Sequence, residues 1–319
     1  MIIPVYKFTT YNLNFKSYIY LYYKMCKTLF YIIIFLLIGC TKDNNSTNDS
    51  GLLGFTGSMD SFDILTWNLE FFPKHDETID YVSDFILNLN LDVIALQEIS
   101  NQTAFNNLVN SLGLQWVGYR SDDSSYQELS YLINTDHIEL NTNPYTILDD
   151  YEHYFAYRAP YVLEVHFQGT DFIIINVHFK CCGDGVLEED YYDEEYRRLR
   201  ANQYLKNYID TYFSDQNVIV LGDFNDDIAE STINNVFLDF IDDSQNYYFS
   251  DMYIAEGPSS NWSFPSWPSH LDHILITNEL FWSNAVTLRL DDYMLGGWGK
   301  YDDYISDHRP VGINLKPIQ

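Results

Sequence analysis

Six short segments of the chain carry side chains able to do chemistry, and each lies at one end of an apolar run: Asn68 with Glu70, Glu98, His178, Asp223 with Asn225, Asp272, and Asp307 with His308. Carboxylates, carboxamides and imidazoles are the groups that hold a hard divalent cation, take a proton from water and donate hydrogen bonds to an oxyanion. One such residue at a strand end is usually a cap or a turn residue. Six in succession are hard to explain that way. In Ser306-Asp307-His308-Arg309-Pro310-Val311 two of them are adjacent. On an extended segment their side chains point to opposite faces, so they can address two parts of one site, such as a metal and a phosphate oxygen.

Positioning these groups takes strands whose ends converge. Residues 62–68 and 92–97 are apolar runs of strand length, and between them residues 77–89 place Ile79, Val82, Phe85, Ile86 and Leu89 at helical spacing. Residues 101–112 read as a second helix. Strand patterns follow at 116–120, 129–134, 161–167 and 172–179, the last two joined by the turn Gln168-Gly169-Thr170-Asp171. Residues 191–213 are helical in pattern, and 217–221, 270–277, 285–290 and 310–315 are strand-like. Many strands with a few interspersed helices predict two packed sheets covered by helices. Strand ends meeting at one edge of such a sandwich make a polar cleft on a rigid scaffold.

With 319 residues, 46% of them hydrophobic and 17% aromatic, the chain can bury a large core. Its charge is lopsided, with 46 acids against 17 bases. No acid lies in the first 40 residues, whereas Lys7, Lys16, Lys24 and Lys27 do, which leaves 13 bases against 46 acids and a charge of −33 beyond that point. Such a surface repels polyanions. It argues against tight, stoichiometric nucleic-acid binding and allows an enzyme that meets a polyanion briefly behind screening cations.

Residues 28–38 form an apolar run of signal-peptide length, shorter than the roughly 20 residues a bilayer requires. Lys24 and Lys27 flank it, and Leu37-Ile38-Gly39-Cys40 resembles the bacterial lipobox. The expectation is a signal peptide over residues 1–40, with Met25 as the natural start, and lipid on Cys40. Residues 41–60, rich in Asn and Ser, read as a flexible tether, and residues 61–319 as one monomeric domain anchored in the bacterial cell envelope, at the outer membrane or cell surface.

The ordered set Trp67-Asn68-Leu69-Glu70, Gln97-Glu98, Asn176-Val177-His178, Gly222-Asp223-Phe224-Asn225, Ser269-His270-Leu271-Asp272-His273-Ile274 and Ser306-Asp307-His308-Arg309-Pro310-Val311 resembles the endonuclease/exonuclease/phosphatase superfamily. The likeness spans nearly all of residues 62–316. It implies the deoxyribonuclease I-like four-layer α/β sandwich, two mixed β-sheets packed face to face with helices outside, and phosphoester cleavage assisted by Mg²⁺, with Mn²⁺ or Ca²⁺ as alternatives. In those terms Glu98 is the first metal ligand, with Asp307 and Glu70, while Asn68 and Arg158 bind substrate. Asp223 would deprotonate the attacking water with help from Asn225. His308 would donate to a non-bridging oxygen, its tautomer fixed by Asp272, and His178 would stand across the phosphate.

Some features fall outside that pattern. With Cys26 in the signal and Cys40 lipidated, Cys181 and Cys182 remain, and an exported setting predicts a vicinal disulfide between them. The acids of residues 188–195 read as a solvated face, with Ca²⁺ binding as the alternative, and Arg197, Arg198 and Arg200 as local ion pairs. Tyr191-Tyr192, Tyr247-Tyr248 and residues 261–267 could stack on bases or rest on lipid, and the last of these precedes Asp272 as a rim. Pro265-Ser266-Trp267 resembles inositol 5-phosphatases, but Leu271-Asp272-His273 departs from their Cys-Asp-Arg. The closer likeness is to secreted bacterial nucleases. A nuclease acting on DNA or RNA is therefore expected, with a sphingomyelinase-like or other phosphodiesterase as the alternative. A non-catalytic binding protein would have no use for Glu98, Asp223, Asn225, Asp272 and His308 together.

Overall fold

Alternation along the strands sets the architecture. In β1 (Phe62–Phe72), Phe62 and Ile64 face one way, Leu65, Trp67 and Leu69 the other, and both sets are buried. A strand buried on both faces belongs to an inner layer. The computed structural model describes residues 55–121, 126–280 and 283–316. The signal-like run and Cys40 lie outside the described residues.

β1 is joined by β2 (Val93–Ile99), β3 (Trp116–Arg120), β4 (Glu128–Asn134), β12 (Val286–Thr287) and β13 (Val311–Leu315) in a six-stranded sheet of order β12-β13-β1-β2-β4-β3. The second sheet has seven strands: β5 (Glu139–Leu140), β6 (Tyr145–Thr146), β7 (Tyr161–Phe167), β8 (Thr170–His178), β9 (Val218–Asp223), β10 (Tyr247–Phe249) and β11 (Asp272–Thr277). Its order is β10-β11-β9-β8-β7-β5, with β6 also on β7. Each sheet is mixed: β1 with β2 and β8 with β9 are parallel, and the other pairings are antiparallel.

Between the sheets lie Ile64, Val93, Tyr131, Leu163, Ile174, Ile219, Ile274 and Ile313 among others. Outside the first sheet pack α1 (Thr78–Leu89) and α2 (Gln102–Leu112), and outside the second the long α3 (Glu194–Tyr212). The result is the expected four-layer sandwich. The short α4 (Leu238–Ile241) and α5 (Met252–Ala255) follow, then α6 (Gly297–Tyr304). Asn101 caps α2 by accepting from Ala104 N at 3.0 Å, and Asp193 caps α3 by accepting from Tyr196 N at 2.7 Å. Among the described residues no helix is long and apolar enough to cross a membrane.

Three local expectations differ. Phe55 is buried in the outer core of the first sheet and Gly57 N donates to Leu89 O at 2.8 Å, so the domain takes in chain that the composition assigns to the tether. Of residues 285–290 only Val286–Thr287 pair as a strand before the chain turns at Leu290–Tyr293. The unforeseen α6 has two glycines and no clear apolar stripe, and its Tyr301 is fully buried.

Candidate active site

On the inner faces the two-residue period runs on to one end of the sandwich, where polar side chains replace apolar ones. Ile64 is followed in register by Thr66 and Asn68 on β1, Ala95 by Gln97 on β2, Ile174 by Asn176 and His178 on β8, and Leu221 by Asp223 on β9. On antiparallel β11 the same series runs backward from Ile274 to Asp272. All these polar residues are buried. Gln97 Nε2 donates to Asn176 Oδ1 at 2.8 Å and Asn176 Nδ2 to Leu96 O at 3.0 Å, a polar seam joining the sheets beneath the site.

Above the seam Asp223 stands beside His178 in the parallel ladder and opposite Asp272 in the antiparallel one. The close approach depends on Gly222: its φ is +147°, and a Cβ there would come within 1.9 Å of Val177 O. Asn68 Nδ2 donates to Asp223 Oδ2 at 2.9 Å and Asn225 N to Asp223 Oδ1 at 3.0 Å, so the carboxylate is held from both sides. Burial pushes its pKa up to about 7, with His308 pulling the other way and Asp272 and Glu98 adding repulsion.

His308 Nδ1 donates to Asp272 Oδ2 at 2.7 Å. Burial alone would lower this imidazole, but Asp272, Asp223 and Asp307 hold it well above its ordinary value. Its Nε2 lies 3.9 Å from both Asp223 Oδ2 and Asp307 Oδ1, too far to bond either. A protonated Nε2 therefore faces the cavity as a free donor. His178 behaves oppositely: burial, Arg158 and His308 keep it well below the usual value and thus neutral. Its Nε2 is 3.5 Å from Asp223 Oδ2, and its buried Nδ1 has no partner among the described residues.

Glu98 reaches the site by a different route. The β1–β2 and β2–β4 ladders both shift register near it, and Glu98 takes φ +61°, so a bulge turns the side chain out of the strand's alternation. Glu98 Oε2 accepts from Phe71 N at 3.0 Å and Oε1 from Asn68 Nδ2 at 3.3 Å, and together with Asp307 it lines a cavity of about 540 Å³ that also holds Asp223, Asn225, His178 and His308. Carboxylate oxygens on the wall of an open cavity are the donor set of a hard divalent cation, so Glu98 and Asp307 fit one. Glu70 does not line this cavity: its Oε2 accepts from Lys74 Nζ and, at 2.9 Å, from Asp307 N. It positions the Asp307 backbone.

The Asp307-His308 pair also differs from expectation. His308 N donates to Ser306 Oγ at 2.9 Å, curling the backbone so that both side chains enter the same cavity instead of opposite faces. Arg158 lies under the site, donating to His178 O, Phe179 O and Gln127 Oε1 at 3.2, 3.1 and 3.1 Å.

Several supports were invisible in the sequence. Ser306 Oγ donates to Asn68 O at 2.7 Å, and Tyr301 OH donates to His308 O at 2.7 Å while accepting from Trp67 Nε1 at 3.0 Å. Asp251 Oδ2 lies 3.0 Å from His270 Nε2 and 2.5 Å from His273 Nδ1, and His273 Nε2 bonds to Asp226 O at 2.9 Å. Their sequence separation hides the pairing. As expected, Arg198 makes ion pairs, with Glu195 and Asp226, and it also donates to Lys180 O and Cys182 O. Arg197 and Arg200 bond neutral oxygens instead. Cys181 and Cys182 carry free thiols 2.9 Å apart rather than the expected disulfide, in a loop whose path is fixed by Arg198 and by φ +72° at Cys182. The acids at Asp193, Glu194 and Glu195 serve as helix cap and ion-pair partners for Lys180 and Arg198.

Two mixed sheets face to face, with carboxylates and imidazoles gathered at one end, define the deoxyribonuclease I-like class of α/β sandwich. The sequence pattern of the endonuclease/exonuclease/phosphatase family matches residues 65–308, and the chain belongs to that family, whose members are phosphoester hydrolases, generally dependent on a divalent metal. Solved structures show the same fold. Zebrafish (D. rerio) TDP2 complexed with single-strand DNA product superposes with a TM-score of 0.61 at 12% identity, covering 81% of this chain and 99% of that one. An endonuclease/exonuclease/phosphatase from Bacteroides vulgatus gives 0.57 at 14% identity, covering 81% and 99%. The human Nocturnin catalytic domain with bound sulfate gives 0.56 at 17% identity, covering 81% and 93%. No curated protein matches the chain.

Proposed function

We propose that the protein is a nuclease that hydrolyses phosphodiester bonds in DNA or RNA by direct attack of water. The observation that carries this reading is the buried carboxylate of Asp223, raised to about 7, between a neutral imidazole and a cationic one. A base with that pKa takes a proton from water near neutral pH. Asn68 and Asn225 N aim it, and Asn225 Nδ2 is itself fixed on Phe179 O at 3.2 Å. His308 Nε2 donates to a non-bridging phosphate oxygen as charge gathers there. His178, neutral, orients the opposite side of the phosphate through Nε2. A Mg²⁺, Mn²⁺ or Ca²⁺ ion on Glu98 and Asp307 would neutralise phosphate charge and stabilise the leaving oxygen.

The single-strand DNA product held in the zebrafish TDP2 structure supports a nucleic-acid substrate. The test is to incubate the purified protein with plasmid DNA, RNA, sphingomyelin and phosphoinositides, with Mg²⁺ or with chelator. Metal-dependent cleavage of nucleic acid, lost in Asp223→Ala and His308→Ala, is expected. Turnover confined to lipid, or variants as active as wild type, would overturn the assignment. We also propose export and lipid anchoring at Cys40 in a bacterial envelope; palmitate labelling lost in Cys40→Ala tests this.

A further inference from the structure

The strand that carries Asp272 outruns one of its neighbours. On one edge β11 pairs with β9 as far as Asp272, opposite Asp223, and Leu271 O still accepts from Phe224 N at 2.8 Å. On the other edge β10 pairs with it only from Thr277 back to Leu275, with one more bond from Ser250 N to Ile274 O at 2.9 Å. Past that point the amides of this edge still need acceptors, because a buried N–H without one is costly. Side chains supply them. Asp251 Oδ1 accepts from Ile274 N at 3.0 Å, and Ser263 Oγ accepts from both Asp272 N and Leu271 N at 3.1 Å.

Ser263 is fully buried, and its main chain is engaged as well. Its N donates to His270 Nδ1 at 3.3 Å, while His270 Nε2 donates to Asp251 Oδ2 at 3.0 Å. Its O accepts from Arg309 N at 2.7 Å. The Arg309 side chain strengthens that junction by donating to Ser260 O at 2.9 Å and forking onto Asp291, and the ring of Phe264 lies 4.8 Å from that of His308. One serine thus grips Asp272 through its hydroxyl and the residue after His308 through its carbonyl.

The Asp272–His308 bond depends on that grip. Asp272 Oδ1 is buried without a hydrogen-bond partner among the described residues, so the carboxylate is oriented by its own backbone and by His308. Any drift of the Asp272 backbone is passed directly to the imidazole. Ser263 does not line the catalytic cavity, so it acts on the reaction only through these neighbours.

We infer that Ser263 is a positioning residue that sets the spacing between Asp272 and His308, and thereby the aim of His308 Nε2 at the phosphate oxygen. This rests on the nuclease reading and deepens it. A displacement of about 1 Å at a reacting centre costs on the order of 100-fold in rate, and the two amides on the Ser263 hydroxyl resist such a displacement.

The experiment uses the whole chain and compares Ser263→Ala with wild type, in the presence and absence of His308→Ala, after thermal melts establish that each protein is folded. On plasmid DNA with Mg²⁺, Ser263→Ala should lower kcat about 30-fold and leave KM within about twofold. In the His308→Ala background the same substitution should change kcat by less than about threefold, because the group it positions is gone. A residue that merely holds the fold together would cost as much in either background. Alongside, histidine-labelled ¹⁵N NMR of wild type should show a downfield, slowly exchanging Nδ1 proton, assigned by its disappearance in His308→Ala, and Ser263→Ala should lose it. If Ser263→Ala does not fold, Ser263→Cys, of similar shape but a weaker acceptor, carries the same comparisons. The inference is overturned if the folded variant keeps kcat within about twofold of wild type, or loses as much without His308 as with it. It is overturned equally if the imidazole resonance is the same in variant and wild type. A wild-type chain that cleaves no nucleic acid refutes the nuclease reading, and the resonance then decides the role of Ser263 by itself.

Discussion

Asp251→Asn should destabilise the domain in a manner that changes with pH. His273 is fully buried, and its two ring nitrogens face Asp251 Oδ2 at 2.5 Å and Asp226 O at 2.9 Å. Neither acceptor brings a proton, so the ring carries both and is a cation. Burial would lower its pKa, but Asp251 and the Asp226 carbonyl raise it, while His273 and His270 hold Asp251 well below the carboxylate range against the effect of its own burial. Removing one partner of such a pair costs about 3–5 kcal/mol. For about 260 ordered residues the unfolding entropy is roughly 0.55 kcal/mol/K, so the melting temperature should drop by about 5–9 °C. The raised His273 contributes stability that is fully present below its unfolded value near 6.5 and is lost as pH rises through its folded value. The depressed Asp251 contributes above about 3.8 and loses its contribution only as pH falls through its lower folded value. The gap between wild type and variant should thus be widest near pH 5.5 and narrow toward pH 9. Thermal melts across that range check this. A gap under about 1 °C, or one that widens with pH, would refute the assignment of a buried imidazolium.

Other outcomes follow from the same geometry. Asp223→Asn should lower turnover at least about 100-fold yet raise stability at pH 8, because a carboxyl pushed to about 7 destabilises the fold progressively as pH rises from near 4 to about 7; activity assays and denaturant titrations measure the two effects. Glu98→Gln should raise the metal concentration giving half-maximal rate by about tenfold or more, and chelator should abolish wild-type turnover. Arg198→Met leaves Glu195 and Asp226 without their cation and should cost about 3–5 kcal/mol, with faster proteolysis at residues 180–186, read by limited digestion.

Much of the site was legible because it obeys the strand period. Asn68, His178, Asp223 and Asp272 occupy inner-face positions that a hydrophobic residue would otherwise fill, so a polar residue at one end of an apolar run marked each of them. What escaped was set by backbone departures and distant partners. Glu98 was legible as a residue but the bulge that turns its side chain into the cavity was not, and Glu70, which looks equivalent in sequence, is turned to Lys74 by its own φ of +40°. The curl at Ser306 comes from a hydroxyl whose alternative, a straight strand, reads identically. Asp251 gave no signal, since nothing local connects it to histidines some twenty residues later. Tyr301 escaped because α6 has no apolar period to announce it.

The Gln97–Asn176 seam makes the floor of the site a single part shared by both sheets, while the walls, carrying Tyr126, Lys180, Phe264 and Trp267, come from connecting segments outside the ladders. The polar floor and the cavity walls are thereby carried by separate parts of the chain. An engineer seeking a new substrate should recombine the connecting segments and leave the amide seam alone.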